Sequence, residues 1–182
     1  MSKFIFGSAP LDFQELTRCE ALRFSLTYNI PTINMHYYFN IGSNLGDKDR
    51  NLHQAVKLLE KALTAPAKVS SFIESKAWGF ESKNTFLNAG VMIESDIKPH
   101  DMLKITQQIE RDMGSITHRN DDGSYKDRLI DIDIIAIDDL IINTPELTVP
   151  HPRMHLRDFV MRPMTELAPQ WVHPIFHAKI KT

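Results

Sequence analysis

The stretch DRLIDIDII at residues 127–135 decides how this chain is read. A strand over residues 129–135 sends successive side chains to opposite faces, so Asp131 and Asp133 share one face while Ile130, Ile132 and Ile134 line the other. Asp is disfavoured in strands and carboxylates are almost never buried unpaired, so two this close repel unless a cation lies between them. Hard oxygen donors on a rigid element suit Mg²⁺, which takes one or two carboxylates and completes its octahedron with waters and substrate phosphates. The plainer alternative is an amphipathic strand with a solvated acidic face, because alternation alone signals only half-burial. Arg128, three residues before Asp131, points toward phosphate chemistry.

Composition bounds the rest. With 182 residues, 42% hydrophobic and 24% charged, the chain fits one globular domain carrying short extensions. A net charge of -2 excludes a general attraction to nucleic acid or anionic lipid, so any phosphate binding is local. Cys19 is the only cysteine, which rules out an internal disulfide and suits a reducing cytoplasm. No apolar run reaches the length of a membrane span, and Asp12, Glu15, Arg18, Glu20 and Arg23 interrupt any signal-peptide core, so a soluble protein is expected.

Working outward from the diaspartate strand, the polar run SITHRNDDGSYK at residues 115–126 reads as a mobile loop feeding into it, and mobile loops beside metal sites act as lids. Before it, Pro99 opens a helix over residues 99–113, with Met102, Ile105, Ile109 and Met113 inward and Gln107, Glu110 and Arg111 outward. Two strands are expected at residues 68–77 and 85–95, joined by WGFESKN. Trp78 and Phe80 in that connection either plug the core or wall a site for a flat ligand. Upstream, residues 36–41 form an aromatic strand, and GSNLGD turns the chain into a helix over residues 47–63 with Leu52, Ala55, Val56 and Leu59 at helical spacing. That loop lacks the GK[ST] ending of a P-loop and by itself says little about nucleotides. Strand, helix, strand, strand, helix, strand is the βαββαβ pattern of ferredoxin-like α+β folds, with both helices on one face of an antiparallel sheet. Beyond it come a hairpin at residues 140–142 and 147–149, a Pro-broken loop carrying His151, Arg153, His155 and Arg157, and a short helix over residues 159–167. His173 and His177 suggest zinc, but Pro174 breaks their helical spacing and no cysteine joins them.

Five blocks carry a resemblance: YFNIGSNLGD at 38–47, FLNAGV at 86–91, TQQIE at 106–110, DRLIDIDII at 127–135 and LTVPHPRM at 147–154. In order and approximate spacing they resemble the 6-hydroxymethyl-7,8-dihydropterin pyrophosphokinase family of folate biosynthesis. The resemblance implies a ferredoxin-like fold with an added hairpin and short helices, and attack of the pterin hydroxymethyl group on the β-phosphorus of MgATP, yielding the pterin diphosphate and AMP. It implies that Asp131 and Asp133 hold two Mg²⁺ ions, with Arg128 and Arg157 as the catalytic cations. ATP is assigned to Gln107, Glu110, Ile134, Thr148 and His151. The pterin is assigned to Ser75, Lys76, Ala77, Trp78, Gly79, Phe86, Asn88 and Phe159, the Asn amide reading the ring edge and the Phe rings framing its faces. The implied protein is a cytoplasmic monomer whose partners are ATP and the pterin, with no nucleic acid and no membrane. Because the resemblance starts at about His36, residues 1–34 are expected to be an extension preceding a start at Met35, residues 35–170 the domain and residues 171–182 a tail.

Departures sit in the loops. Where many members of the family carry two arginines after the helix-ending glycine, this chain has Ser115 and Thr117, with His118 and Arg119 as the nearest basic residues. Asp122 stands near the family's loop tryptophan, Lys126 and Asp127 replace a small pair, Lys76 and Ala77 replace a proline pair, and Pro152 replaces an aromatic. The lid is about two residues longer than is usual in the family. Such changes leave open a divergent paralogue acting on a modified pterin, or a non-catalytic ferredoxin-like protein that binds pterin or nucleotide.

Overall fold

Strand β1, Met35–Ser43, is the axis of the sheet, because seven of its nine residues are buried and both of its edges are paired. The computed structural model describes residues 34–115 and 126–180, all within the unit Ile33–Thr182. Of the extension expected at residues 1–34 and the lid expected at 115–126, residues 1–33 and 116–125 lie outside the described residues.

After β1 come α1 (Lys48–Leu63), β2 (Ala67–Val69), β3 (Ile73–Ser75), β4 (Phe86–Ser95), α2 (Pro99–Asp112), β5 (Asp131–Ile137), β6 (Ile142–Asn143), β7 (Thr148–Val149), a 3₁₀ turn at Met154–Leu156 and α3 (Asp158–Leu167). The sheet order is β2-β4-β1-β5, all antiparallel, with β3 also on β4. With β2 and β3 counted as one split edge strand, this is the ferredoxin-like α+β arrangement expected from the element order.

The edge strand is split rather than continuous. Ser70 turns its own hydroxyl into the ladder, accepting from Gly90 N at 2.8 Å, and Ser71 N donates to Glu166 of α3. Such side-chain competition for backbone groups interrupts strand pairing, so residues 76–77, read as strand, fall in a loop. β5 starts two residues later than expected because Arg128 N donates to Asn44 Oδ1 and Ile130 N to Ser115 Oγ, away from the ladder.

Both faces of the sheet are covered. Helices α1 and α2 pack Leu52, Leu59, Met102 and Ile109 against Phe39, Ile41, Val91, Ile132 and Ile134 on the first face. Asp47 caps α1 by accepting from Arg50 N. On the second face, α3 packs Val160 and Met164 against Tyr38, Met92 and Ile135. A bulge sets the parity, since Tyr38 pairs with Ala136 but Phe39 with Ile134, leaving Ile135 as the extra residue. Ile134 and Ile135 therefore go to opposite cores, while Asp131 and Asp133 keep the side of the second face. Residues 171–180, expected as a tail, fold back: Trp171 Nε1 donates to Asp138 O and Ile180 is buried in the second core. No helix among the described residues is long and apolar enough to cross a membrane.

Candidate active site

Asp131 and Asp133 open into a cleft of about 290 Å³, which Asn40 and Gly42 of β1, Asn88 of β4 and Thr106 and Glu110 of α2 also line. The two-residue period of β5 puts both carboxylates on one side. Arg128 Nη1 donates to Asp131 Oδ1 at 3.1 Å, and Arg157 Nη1 to Asp133 Oδ2 at 3.3 Å. Both guanidiniums are nine-tenths enclosed. Burial and then repulsion from Asp131 push the Asp133 carboxyl well above the usual carboxylate range, although Arg157 and Arg128 pull the other way. About a third of its side chain still faces the open cleft.

Glu110 corrects the expectation of an outward-facing residue. It is buried, and its Oε1 accepts from Ile132 N at 2.7 Å, satisfying a donor on the outer edge of β5. The helix α2 is thereby fastened to the metal-type strand from the side. His151 N donates to Ile135 O, and its Nδ1 accepts from Arg153 N at 3.2 Å, so the ring proton lies on Nε2. Burial, Arg157 and Arg153 together lower the His151 pKa to about 4.

The opposite wall is aromatic. Arg157 lies 4.4 Å and Arg153 5.0 Å from the centre of the Trp78 ring. Phe80 meets Phe86 edge-on at 6.2 Å, and Arg128 lies 5.6 Å from the Phe86 centroid. Trp78 and Phe80 thus line the cleft rather than plug the core. Asn88 is buried between the two walls, its Nδ2 donating to Ser75 Oγ at 3.0 Å and to Ile73 O at 3.3 Å. A Cβ on Gly42 would stand 2.9 Å from Asn88 Oδ1, so only glycine allows this approach of strand and amide.

Of the residues singled out in the sequence, Arg128, Asp131, Asp133, Arg157, Gln107, Glu110, His151, Ser75, Lys76, Trp78, Phe86, Asn88 and Phe159 converge on this cleft. Four do not line it. Ile134 is buried in the first core, Thr148 is half-buried in β7, and Ala77 and Gly79 lie in the 76–85 loop. Asn40, Thr106 and Arg153 line it without having been singled out as site residues. Thr106 was legible as the residue one helical turn before Glu110, whereas Asn40 joins the site through strand register alone, opposite Asp133. Among the described residues no three His, Cys, Asp or Glu side chains stand together as a metal-binding group, and His173 instead accepts from Ile175 N and stacks on Phe176.

A ferredoxin-like domain whose cleft joins paired carboxylates and two guanidiniums to an aromatic slot is built for handling a polyphosphate beside a flat ring. The profile of one such family, 7,8-dihydro-6-hydroxymethylpterin-pyrophosphokinase, matches residues 38–169, and the chain belongs to this family. It is 45% identical over 138 residues to the 2-amino-4-hydroxy-6-hydroxymethyldihydropteridine pyrophosphokinase of Porphyromonas gingivalis, spanning 75% of this chain and 92% of that one. The enzyme of the same name from Bacillus subtilis is 40% identical over 134 residues, 73% of this chain and 78% of the relative. A solved Plasmodium falciparum HPPK-DHPS chain, crystallised with pterin and p-hydroxybenzoate, shares the fold with a TM-score of 0.59 at 12% identity. The match covers 81% of this chain and 42% of that longer one.

Proposed function

We propose that this pyrophosphokinase of folate biosynthesis transfers the β,γ-diphosphate of ATP to the hydroxymethyl group of 6-hydroxymethyl-7,8-dihydropterin, releasing AMP. The observation that carries this reading is the continuity of the cleft. One cleft is lined by Asp131, Asp133, Arg128 and Arg157 and also by Trp78, Phe86, Phe159 and Asn88, and the two guanidiniums lie against the aromatic rings.

The donor set fits Mg²⁺: two hard carboxylates on one side of a strand, that of Asp133 raised in pKa first by burial and then by the charge of Asp131, need substrate phosphates and water to complete an octahedron. Asp131 and Asp133 would hold two such ions, which would supply positive charge to offset the charge that develops on the transferred group. Arg128 and Arg157, which donate to these aspartates in the cleft, present planar forks suited to phosphate oxygens and would pair with those of ATP. Neutral His151, with its proton on Nε2, donates to ATP without adding a competing charge. Glu110 holds β5 in place, and Gln107 faces the nucleotide. Ile134 and Thr148 serve the nucleotide, and Ala77 and Gly79 the pterin, through their backbones, since their side chains lie off the cleft. Phe86 and Phe159 sandwich the pterin and Asn88 reads its edge.

A monomer working in the cytoplasm, with residues 35–170 as the catalytic domain, belongs to the same reading. ATP labelled at the β-phosphorus, supplied with the reduced pterin, tests it: label appears in a pterin diphosphate with AMP as the other product. Formation of ADP, or binding of both ligands without turnover, favours instead the divergent or non-catalytic alternatives suggested by the altered loops.

A further inference from the structure

Asp127, the residue immediately before Arg128, gathers three side-chain donors on one carboxylate. Asn44 Nδ2 at 2.6 Å and Ser82 Oγ at 2.7 Å reach Oδ1, and Asn84 Nδ2 at 2.8 Å reaches Oδ2. These donors come from different places. Asn44 is buried in the turn between β1 and α1, whereas Ser82 and Asn84 belong to the loop that carries Trp78 and Phe80. Asn44 also brackets Arg128, accepting from Arg128 N at 2.8 Å and donating its own N–H to Arg128 O at 3.2 Å.

Residues 81–85 are the largely exposed part of the loop, and the Asp127 carboxylate is where they meet the Arg128 segment. Gly79, Glu81, Lys83, Asn84 and Thr85 are exposed, and nothing lies within 4 Å of a Cβ placed on Gly79. Its aromatic end is held by the edge contact of Phe80 with Phe86 and by Arg128, Arg153 and Arg157 over the Phe80 and Trp78 rings, and its far end by Lys48 Nζ on Thr85. Burial raises the Asp127 pKa, but Ser82, Asn44, Asn84 and the Arg128 charge outweigh it, and the carboxyl is held below its usual range. It stays ionised, and hydrogen bonds to a charged acceptor are the stronger kind.

We propose that Asp127 is a positioning residue that latches the loop carrying Trp78 and Phe80 to the Arg128 segment, so that seating a flat ring in the slot beside that loop aligns the guanidinium on the phosphate side. The proposal rests on the reading of the cleft as a pterin and ATP site. Its structural part has a separate readout.

Hydrogen exchange is measured on the ligand-free chain and on two variants, Asp127→Ala and the loop double variant Ser82→Ala/Asn84→Ala, alongside steady-state kinetics with ATP and the reduced pterin. In both variants amide exchange at residues 79–85 rises about tenfold or more, as expected when hydrogen bonds to a charged acceptor are lost. The KM for pterin rises by about tenfold while the KM for ATP stays within about twofold. Asp127→Ala also lowers kcat, because it alone loosens Asn44 and Arg128. Combining all three substitutions adds nothing further to the pterin KM, as groups acting through one carboxylate are not additive. Unchanged exchange at 79–85, additive effects, or equal rises in both KM values overturn the latch. A wild-type chain that lacks transfer activity yet shows the exchange response in both variants refutes the functional reading and leaves the latch standing. If Asp127→Ala does not fold, the double variant decides alone, since its substitutions are confined to the loop.

Discussion

Asn88→Ala separates ligand recognition from architecture, and both parts have a size. The side chain is 2% exposed, and its Nδ2 donates to Ser75 Oγ and Ile73 O. Truncation strands two acceptors on β3, at a cost of about 1–3 kcal/mol. For a domain of this size each kcal/mol lowers Tm by roughly 2–4 °C, so a fall of roughly 2–12 °C is expected. The pterin edge, deprived of its amide partner in an enclosed slot, loses about 1–3 kcal/mol of binding, a weakening of roughly 5- to 150-fold. ATP affinity stays within about twofold, because the nucleotide is assigned to β5, α2 and the His151 loop. Calorimetric titration with each ligand, beside a thermal melt, measures both effects. Gly42→Ala tests the same amide from the opposite side, since the added methyl would press on Asn88 Oδ1 from 2.9 Å. Equal losses for ATP and pterin would refute the assignment, as would a pterin affinity that survives in a protein whose Tm has dropped.

Asp131→Asn and Asp133→Asn are expected to fold and to lose turnover by several orders of magnitude, with Mg²⁺ titration failing to restore it; near-normal rates at saturating Mg²⁺ would remove both residues from the metal site. Because Asp133 has a raised folded-state pKa, its ionised form destabilises the metal-free fold above that pKa, and the penalty is relieved as pH falls. Asp133→Asn should therefore raise Tm of the metal-free protein more at pH 8 than at pH 5, and a difference of the opposite sign contradicts the assignment. His151 works in the other direction. Its folded pKa of about 4 lies below the unfolded 6.5, so its contribution is present above pH 6.5 and lost as pH falls through that window to about 4. Site-resolved NMR should find the ring neutral at pH 5.5, and a midpoint near 6.5 would refute its enclosure between Arg157 and Arg153. Gly90→Ala would put a methyl 2.8 Å from Pro163 Cβ and 3.0 Å from Leu167 Cδ1, costing about 1–3 kcal/mol through overpacking. Because α3 carries Phe159, pterin affinity should fall with Tm, and an unchanged melt would show that α3 yields freely.

The DIDI alternation placed Asp131 and Asp133 on one side of a strand because the period of a strand is a local property, and the order of helical and two-residue periodicities was enough for a ferredoxin-like fold. The five sequence blocks reached most of the cleft, since the residues that line it sit near the ends of elements whose order and spacing the chain itself sets. Other features depended on packing between distant segments. Glu110 looked solvent-facing from its helix position, and only the approach of α2 to the outer edge of β5 turned it toward Ile132 N. Ser70 split an edge strand that reads as continuous because Gly90 lies beside it. The bulge at Ile135, which sends adjacent isoleucines into opposite cores, is a register shift against Tyr38 and Phe39 that no alternation within β5 encodes. Asp127 in sequence is only the residue before an arginine. It becomes the meeting point of Asn44, Ser82 and Asn84 once segments 43 to 83 positions away are brought to it, because a carboxylate has room for several donors and the chain supplies them from elsewhere.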